Sequence, residues 1–260
     1  MTKALAVYVA VVVALTVSFG LYQFNSSPYF SSNSRPAVAR VDSVAPKPSW
    51  VALYDSLDLK SQGLSLAAFR CAWFGFQKMN LNNPMMAIAD FSQSSRKKRL
   101  YVIDLIRKKL VLNTYVAHGR NSGQEFAERF SNKNSSYQSS LGFYKTLGTY
   151  QGKHGLSLRL EGVEKGINDQ AFSRAIVMHG ADYVSEDFIK NTGRLGRSQG
   201  CPAVSIADSK KLINMLYNGA GLFIYSPDQT YFKASRLLSG LFSDQEDQTL
   251  GNPLLYTSAK

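Results

Sequence analysis

The spacing of hydrophobic and polar positions changes along the chain near residue 83. Between residues 49 and 82 apolar side chains recur at steps of three and four, which is typical of amphipathic helices, and Gly63 divides the run into two. From Met85 onward apolar and polar residues alternate, as they do in strands that bury one face. The pattern therefore predicts a helical N-terminal layer at 49–82 and a mainly β domain at 83–226.

Several segments of the second part have the composition and alternation of β-strands. They lie at residues 86–91, 99–105, 109–117, 142–146, 156–160, 175–178 and 221–225. One late amphipathic helix is predicted at 207–217, where Asn218-Gly219 would end it. These elements indicate a mainly β fold of the α+β class, followed by a C-terminal tail at 227–260 in which no regular element is predicted.

The N-terminal segment bears on the compartment. Residues 4–21 contain no charged side chain, and Lys3 precedes them. A run of this length fits either a signal peptide or a single membrane anchor, so residues 1–21 are assigned to one of these two. The stretch 22–48 is rich in Ser, Pro and Asn and is predicted to be a linker. The expected location is the cell envelope outside the cytoplasm, with the membrane reached only through the N-terminal segment.

The composition is globular and the charge is strongly positive. The chain has 260 residues, of which 45% are hydrophobic and 18% charged, and its formal net charge is +12. Such a charge favours anionic partners. A basic cluster contributes to it: Arg96, Lys97, Lys98, Arg99, Arg107, Lys108 and Lys109. We interpret the cluster as the solvated end of a hairpin, because a nucleic-acid groove would interleave more aromatic residues than Tyr101. An anionic cell-envelope polymer is therefore expected rather than nucleic acid.

Two segments carry residue types that suit nucleophilic catalysis. One is an apolar stretch that ends in His179-Gly180, and the other is a tight loop in which Gly200 precedes Cys201. A cysteine attacks as its thiolate and therefore needs a neighbouring base or cation. A histidine at a strand end has a fixed position and titrates near neutral pH. The sequence predicts Cys201 as nucleophile, His179 as general base, and the amides of Gly200 and Cys201 as donors to an oxyanion.

The chain contains two cysteines, and in an exported protein two cysteines can form a disulfide. Cys71 lies within an apolar helical stretch, where a free thiol packs as a small hydrophobic group. A bridge between Cys71 and Cys201 would remove the thiol that the chemistry needs. A free, buried Cys71 is predicted, and the bridged form stays open as the alternative.

Residues 86–226 resemble the catalytic domain of L,D-transpeptidases, the YkuD-type enzymes of peptidoglycan cross-linking, and more narrowly the branch of murein L,D-transpeptidase catalytic domain proteins. The family pattern is a His, a gap, then Ser or Thr, His, Gly and Cys; His179, Ser198, Gly200 and Cys201 match it. Three further segments resemble family signatures: Val116-Ala117-His118-Gly119-Arg120-Asn121-Ser122-Gly123, Ser139-Ser140-Leu141-Gly142 and Gly193-Arg194-Leu195-Gly196-Arg197-Ser198.

The resemblance implies an L,D-transpeptidase-like β-sandwich and a two-step acyl transfer without a metal or organic cofactor. Cys201 would attack the third residue of a donor stem peptide of peptidoglycan and form a thioester as the terminal D-Ala leaves. An amine of a second stem would then form a 3-3 cross-link. The carbonyl of Gly180 would orient the ring of His179. The candidate substrate-binding residues are Arg197, Ser198, Gln199 and His118.

Several alternatives stay open. Attack by water in place of the acceptor amine would make the enzyme an L,D-carboxypeptidase. Gln199 stands where the family has a second His, which leaves an inactive wall-binding module as a further rival. Arg197 could bind stem carboxylates or form a structural salt bridge, and His118 could line the cleft or lie in the core. His154 is interpreted as a loop residue. The acceptor and the oligomeric state are not predicted.

Two other enzyme classes fit the sequence poorly. A zinc peptidase would need ligand pairs such as His-x-x-x-His, and none of the three histidines has a partner at that spacing. A papain-like hydrolase places its Cys before its His, whereas no His follows Cys201. The order and spacing therefore disfavour both classes.

Overall fold

The computed structural model describes residues 49–242. The predictions for the segments 1–21 and 22–48, and for the part of the tail after residue 242, lie outside the described residues. Within residues 49–242, no helix has both the length and the apolar character that crossing a bilayer requires. The described elements are five helices and nine strands.

Two helices open the described chain and the others follow the strands. The helices are α1 (Ser49–Ser56), α2 (Leu66–Gln77), α3 (Glu186–Thr192), α4 (Ile206–Leu216) and α5 (Gln229–Ala234). The strands are β1 (Met85–Asp90), β2 (Leu100–Asp104), β3 (Lys109–Thr114), β4 (Val116–Ala117), β5 (Gly142–Gly152), β6 (Gly155–Gly162), β7 (Val177–Ala181), β8 (Ala203–Ser205) and β9 (Gly221–Tyr225). The helix α2 begins where Ser65 accepts a hydrogen bond from the Ala68 amide at 3.2 Å, which satisfies one free N–H of its first turn.

The nine described strands form one hydrogen-bonded sheet in the order β3-β2-β1-β9-β5-β6-β7-β8-β4. The pairs β1–β9 and β7–β8 are parallel, and the other pairs are antiparallel. A parallel pair needs a long crossover between its strands. The crossover from β7 to β8 contains α3 and the loop that ends at Cys201, so the topology itself carries the cysteine back to the side of β7.

The core lies between the centre of the sheet and the N-terminal helices. Phe143 of β5 stacks on Phe223 of β9 at 4.2 Å between ring centroids, and Phe76 of α2 meets Phe143 edge-on at 5.5 Å. Phe69 of α2 and Ile88 of β1 are fully buried in the same cluster. Burial of these large side chains on both elements holds the helical layer on the sheet.

The mainly β fold with a helical N-terminal layer and a late helix is confirmed, and most predicted strands lie within a few residues of the observed ones. Two short elements of the crossover were not predicted. The helix α3 has no buried residue, so it leaves no apolar period, and β8 has only three residues. The predicted strand at 175–178 begins instead at Val177.

The prediction of a tail without regular structure is wrong for residues 229–234, which form α5. Asp228 caps α5 by accepting a hydrogen bond from the Tyr231 amide at 2.9 Å. The hydroxyls of Tyr231 and Ser235 both donate to the buried carboxyl group of Glu164, the former at 3.0 Å. Leu238 and other apolar residues of this segment are buried as well. The first part of the tail therefore belongs to the folded domain.

The prediction of one solvated hairpin end is wrong in two respects: the exposed basic residues lie in two turns at opposite ends of β2, and Arg99 is fully buried. Its guanidinium group donates to the carbonyl oxygens of Gln93 at 2.6 Å and of Val116 at 3.1 Å. Burial lowers the pKa of Arg99 to about 9. Arg99 is thus a structural residue of the interior, where backbone carbonyls satisfy its N–H groups.

Both cysteines are free thiols, as the chemistry requires. Cys71 is buried in α2, and burial raises its pKa to about 12. A thiol in such surroundings is neutral and inert. Cys71 therefore packs as a hydrophobic residue, which agrees with the prediction.

Candidate active site

The parallel pairing of β7 and β8 brings Cys201 beside the strand that carries His179. His179 lies opposite Ala203 in this pair, and Cys201 precedes Ala203 by two residues. The Val177 amide, two residues before His179, donates to the Cys201 sulfur at 3.5 Å. Strand spacing and rise place the two Cα atoms on the order of 8 Å apart. Both side chains line one cleft, so the structure brings the predicted nucleophile and base together.

The cleft has a volume of about 550 Å³ and a positive lining. Its cationic residues are Arg120, Lys153, Arg174 and Arg197. None of the described residues that line it is an aspartate or a glutamate. A cleft with one sign of charge concentrates ligands of the opposite sign, so this one suits an anionic ligand.

One ring nitrogen of His179 is held by its own strand. Nδ1 lies 2.9 Å from the carbonyl oxygen of Gly180, and the side chain is 3% exposed. A carbonyl oxygen can only accept, so Nδ1 carries the proton in this contact and Nε2 keeps its lone pair. Burial lowers the pKa of His179, and the neighbouring His154 and Lys153 act in the same direction. The imidazole is therefore neutral at pH 7, with Nε2 as its basic atom.

His154 was interpreted from the sequence as a loop residue, and the structure places it in the site. It occupies the turn between β5 and β6, and its ring stacks on that of His179 with centroids 4.3 Å apart and planes 21° apart. Its side chain also lines the cleft. No local pattern points to this contact, because it depends on how the hairpin bends.

The thiol of Cys201 is protonated in the resting site. Burial raises its pKa, against the opposing effects of the Val177 amide, Arg174 and Lys153. A second contact joins the sulfur to the carbonyl oxygen of Ala175 at 3.8 Å. From the sequence, a neighbouring cation or base was expected to lower the pKa of this thiol. In the structure desolvation outweighs the cations, so the thiol is neutral and would need a base to become a nucleophile.

The loop before Cys201 is held by Ser198. Its hydroxyl donates to the Cys201 carbonyl oxygen at 2.6 Å and accepts from the Gly200 amide at 3.0 Å. The Gly200 amide is thus already engaged, and the prediction that it donates to an oxyanion is corrected; the Cys201 amide remains as the candidate donor. Gly200 has φ +121°, and a Cβ there would lie 2.8 Å from the Gln138 carbonyl oxygen. Glycine is needed at this position for backbone conformation and packing.

Arg174 is a residue of the site that the sequence argument did not single out. Its guanidinium group donates to Ser131, Ser136, Gln138 and Ser140 at distances between 2.7 and 3.2 Å. These contacts tie the loop at 131–140 to the backbone that supports the sulfur. The charge of Arg174 also favours the thiolate of Cys201. In the sequence, this segment was recognised only by the apolar stretch that follows Arg174.

The other predicted substrate-binding residues divide into two groups. Gln199 and Arg197 both line the cleft, and Gln199 is exposed. Nη1 of Arg197 donates to the carbonyl oxygens of Arg120 at 3.0 Å and of Gly123 at 2.9 Å. His118 does not line the cleft. It is fully buried, and its Nδ1 lies 2.8 Å from Arg99 Nη2. The prediction that His118 binds substrate is therefore wrong, and the alternative that it lies in the core is the one observed.

The described residues contain no group of three or more His, Cys, Asp and Glu side chains that could hold a metal ion. Histidines 154 and 179 meet by ring stacking, which directs their faces rather than their nitrogen lone pairs at each other.

Comparison with solved structures gives several similar proteins, three of which match at 20% identity or less. An L,D-transpeptidase from Mycobacterium smegmatis matches at 11% identity over 55% of this chain and 59% of its own, with a TM-score of 0.34. An L,D-transpeptidase from Stackebrandtia nassauensis matches at 20% identity over 61% and 65%, with a TM-score of 0.33. The L,D-transpeptidase LdtMt1 in complex with imipenem matches at 10% identity over 55% and 59%, with a TM-score of 0.34. The chain spans less than two thirds of the length of each of these structures.

Comparison with curated proteins gives no significant match. The sequence model of a protein family, however, matches residues 60–225, which is more than half of the chain. The matched range begins before α2 and includes every strand of the sheet, together with His179 and Cys201. The chain belongs to the L,D-transpeptidase catalytic domain family.

Proposed function

We propose that this protein is a peptidoglycan L,D-transpeptidase that forms 3-3 cross-links through a thioester on Cys201, outside the cytoplasm. One observation carries the proposal: His179 of β7 and Cys201, in the loop that leads into the parallel strand β8, line the same cleft, with Nδ1 of His179 held by the Gly180 carbonyl. That contact leaves Nε2 as the base, which is the arrangement that activation of a thiol needs. The family acts on peptidoglycan peptides, which supplies the substrate class.

The first half of the reaction acylates the enzyme. Nε2 of His179 takes the proton of the Cys201 thiol as the sulfur attacks the carbonyl carbon of the third residue of a donor stem. The amide of Cys201 donates to the oxyanion that forms. When the intermediate collapses, the C–N bond to the terminal D-Ala breaks and His179 gives its proton to the leaving amine. A thioester and a free D-Ala result.

The second half transfers the acyl group. A side-chain amine of an acceptor stem attacks the thioester carbon, and His179 takes a proton from the attacking nitrogen. The C–S bond then breaks and His179 returns the proton to the sulfur. A new amide joins the third residues of two stems, and the resting neutral pair is restored.

The electrostatics of the cleft fit this substrate class. Peptidoglycan stems carry free carboxylates, and the lining holds Arg120, Lys153, Arg174 and Arg197 without an acidic residue. The neutral resting pair also fits a base that works near pH 7, because a general base must be unprotonated before it acts. Arg197 and Gln199 are the proposed contacts to the donor stem, and Ser198 shapes the loop between them.

The test is covalent labelling followed by digestion of the natural polymer. We expect imipenem to add one molecule to the protein, with the adduct on Cys201 in a peptide mass map. Cys201→Ala should stay unlabelled, and Cys71→Ala is the matched control that should label like the wild type. With purified sacculi, we expect new 3-3 linked dimers of muropeptides in the mass spectrum.

Other outcomes would select the rival functions. Labelling with release of D-Ala but without dimers would identify an L,D-carboxypeptidase. Absence of labelling in a folded protein, with binding to sacculi retained, would identify an inactive wall-binding module and overturn the proposal.

A further inference from the structure

The hairpin of β5 and β6 carries His154 at its tip, outside the residues that pair with the neighbouring strands β7 and β9. The strand β5 pairs with β9 through residues 142–145, whereas its pairing with β6 continues to Gly152. The register between β5 and β6 shifts between Thr146 and Thr149, which marks a bulge. A bulge bends a strand and increases its twist. The outer arm of the hairpin is therefore bent relative to the sheet.

The pairing of β6 with β7 places the tip of the hairpin beside His179. Ser157 of β6 pairs directly with His179 of β7, and His154 lies three residues before Ser157 in the turn. The turn closes with Gly155, whose φ of +74° lies in the region that favours glycine. The result is the ring stack of His154 on His179, with centroids 4.3 Å apart.

The two stacked rings differ in exposure. His179 is 3% exposed, although it lies in an open cleft, whereas His154 is exposed. The ring of His154 therefore covers one face of the base against solvent, and a stacked partner also restricts rotation of the His179 ring about its side-chain bonds. The Gly180 carbonyl fixes the same ring through Nδ1. Two independent contacts, one at an edge and one on a face, hold the base.

We infer that His154 is a positioning residue for His179: its ring, brought in by the bent hairpin, covers the base and keeps it oriented. The inference rests on the proposed function for the role of His179, but the contact itself does not. His154 does not touch the reacting atoms in this scheme, and an aromatic ring without a titratable nitrogen should replace it. The charged and titratable groups around His179 are Lys153 and His154 on the hairpin, Arg174 and Tyr183 on either side of β7, and Arg197 and Cys201 before β8.

Two substitutions separate the effect of the ring from that of its nitrogens. His154→Phe keeps a stacking ring without a proton, and His154→Ala removes the ring. Since the chain has only three histidines, the imidazole of His179 can be followed by NMR in a pH titration. We expect its pKa to rise toward about 6.5 in His154→Ala and to stay nearer the wild-type value in His154→Phe.

The rate of acylation should fall more in His154→Ala than in His154→Phe. With imipenem as the probe at pH 7, we expect His154→Ala to acylate about tenfold more slowly and His154→Phe to stay within about threefold of the wild type. Gln151→Ala, on the same arm but outside the cleft lining, is the matched control and should change neither readout.

The inference is overturned if His154→Ala leaves both the titration of His179 and the acylation rate unchanged. It is equally overturned if His154→Phe is as slow as His154→Ala, because a proton on His154 would then be needed. Should the wild type fail to acylate at all, the proposed function fails, and the NMR titration still decides whether His154 controls His179.

Discussion

Two buried regions of this protein contain the same dipeptide and give its histidine opposite roles. His118-Gly119 follows β4, and His179-Gly180 lies in β7. Both side chains have almost no contact with solvent, at 0% and 3% exposure. Nδ1 of His118 faces the guanidinium group of Arg99, and Nδ1 of His179 faces a carbonyl oxygen.

The partner of Nδ1 decides the tautomer. A guanidinium group only donates, so Nδ1 of His118 accepts and its proton lies on Nε2. A carbonyl only accepts, so the proton of His179 lies on Nδ1 and the lone pair on Nε2. Burial and the charge of Arg99 lower the pKa of His118 to about 3. Burial is therefore common to both histidines, and only His179 keeps an unprotonated Nε2, the atom proposed as the base.

The largest expected effect comes from His179→Asn. The asparagine amide can donate to the Gly180 carbonyl in place of Nδ1, but it has no base at the position of Nε2. We expect the rate of acylation by imipenem to fall about a thousandfold, as for loss of a general base, while the free energy of unfolding changes by less than about 1 kcal/mol. Stopped-flow acylation and urea denaturation measure the two quantities. Comparable acylation by the variant would show that another group deprotonates Cys201.

Substitution of His118 should lower the stability of the protein rather than its acylation rate. His118→Ala leaves a buried N–H of Arg99 without its acceptor and creates a cavity, so we expect the free energy of unfolding to fall by about 2–4 kcal/mol. His118→Asn offers an amide oxygen near the position of Nδ1 and should recover part of this loss. Acylation at pH 7 should stay within about threefold of the wild type in both variants.

The pH dependence of the unfolding free energy tests whether the pKa of His118 is lowered in the folded protein. The unfolded chain protonates this histidine near pH 6.5, and the folded protein does so only near pH 3, because burial lowers the pKa. Its contribution is therefore complete above about pH 6.5 and is lost as the pH falls toward 3, with a slope of at most about 1.4 kcal/mol per pH unit. His118→Asn should flatten the curve of unfolding free energy between pH 7 and 4. Parallel curves for the two proteins would contradict the assignment.

The fold was predictable where apolar periodicity is strong. The strands β1, β2 and β9 are buried along almost their whole length, and each was recognised from its composition. The helix α5 was missed because it has only six residues and two of them, Tyr231 and Phe232, are buried. Such a segment is too short to show a period, and only its packing against the domain stabilises it.

The sequence pointed to the two residues for which catalytic roles are proposed, but not to the side chains that hold them. Cys201 and His179 were recognised as residue types in a family pattern, and the pairing of β7 with β8 brings them together. All three histidines precede a glycine, so the local sequence does not rank them. Arg174 bonds to the loop at 131–140, and His154 reaches His179 from the β5–β6 hairpin. Both contacts join segments that are distant along the chain, so no local pattern predicts them.

The smallest predicted effect concerns the link between the two regions. The hydroxyl of Ser139 accepts from the Gly119 amide and donates to the Gly200 carbonyl oxygen, both at 3.1 Å, so one side chain joins the buried histidine region to the loop of the nucleophile. Ser139→Ala removes both bonds, and we expect a loss of about 1 kcal/mol in unfolding free energy and a fall in acylation rate of about threefold. Ser173→Ala, an exposed serine outside the cleft lining, is the control and should change neither. If Ser139→Ala lowered stability but left acylation untouched, the two regions would be independent, and the loop would be held by Ser198 and Arg174 alone.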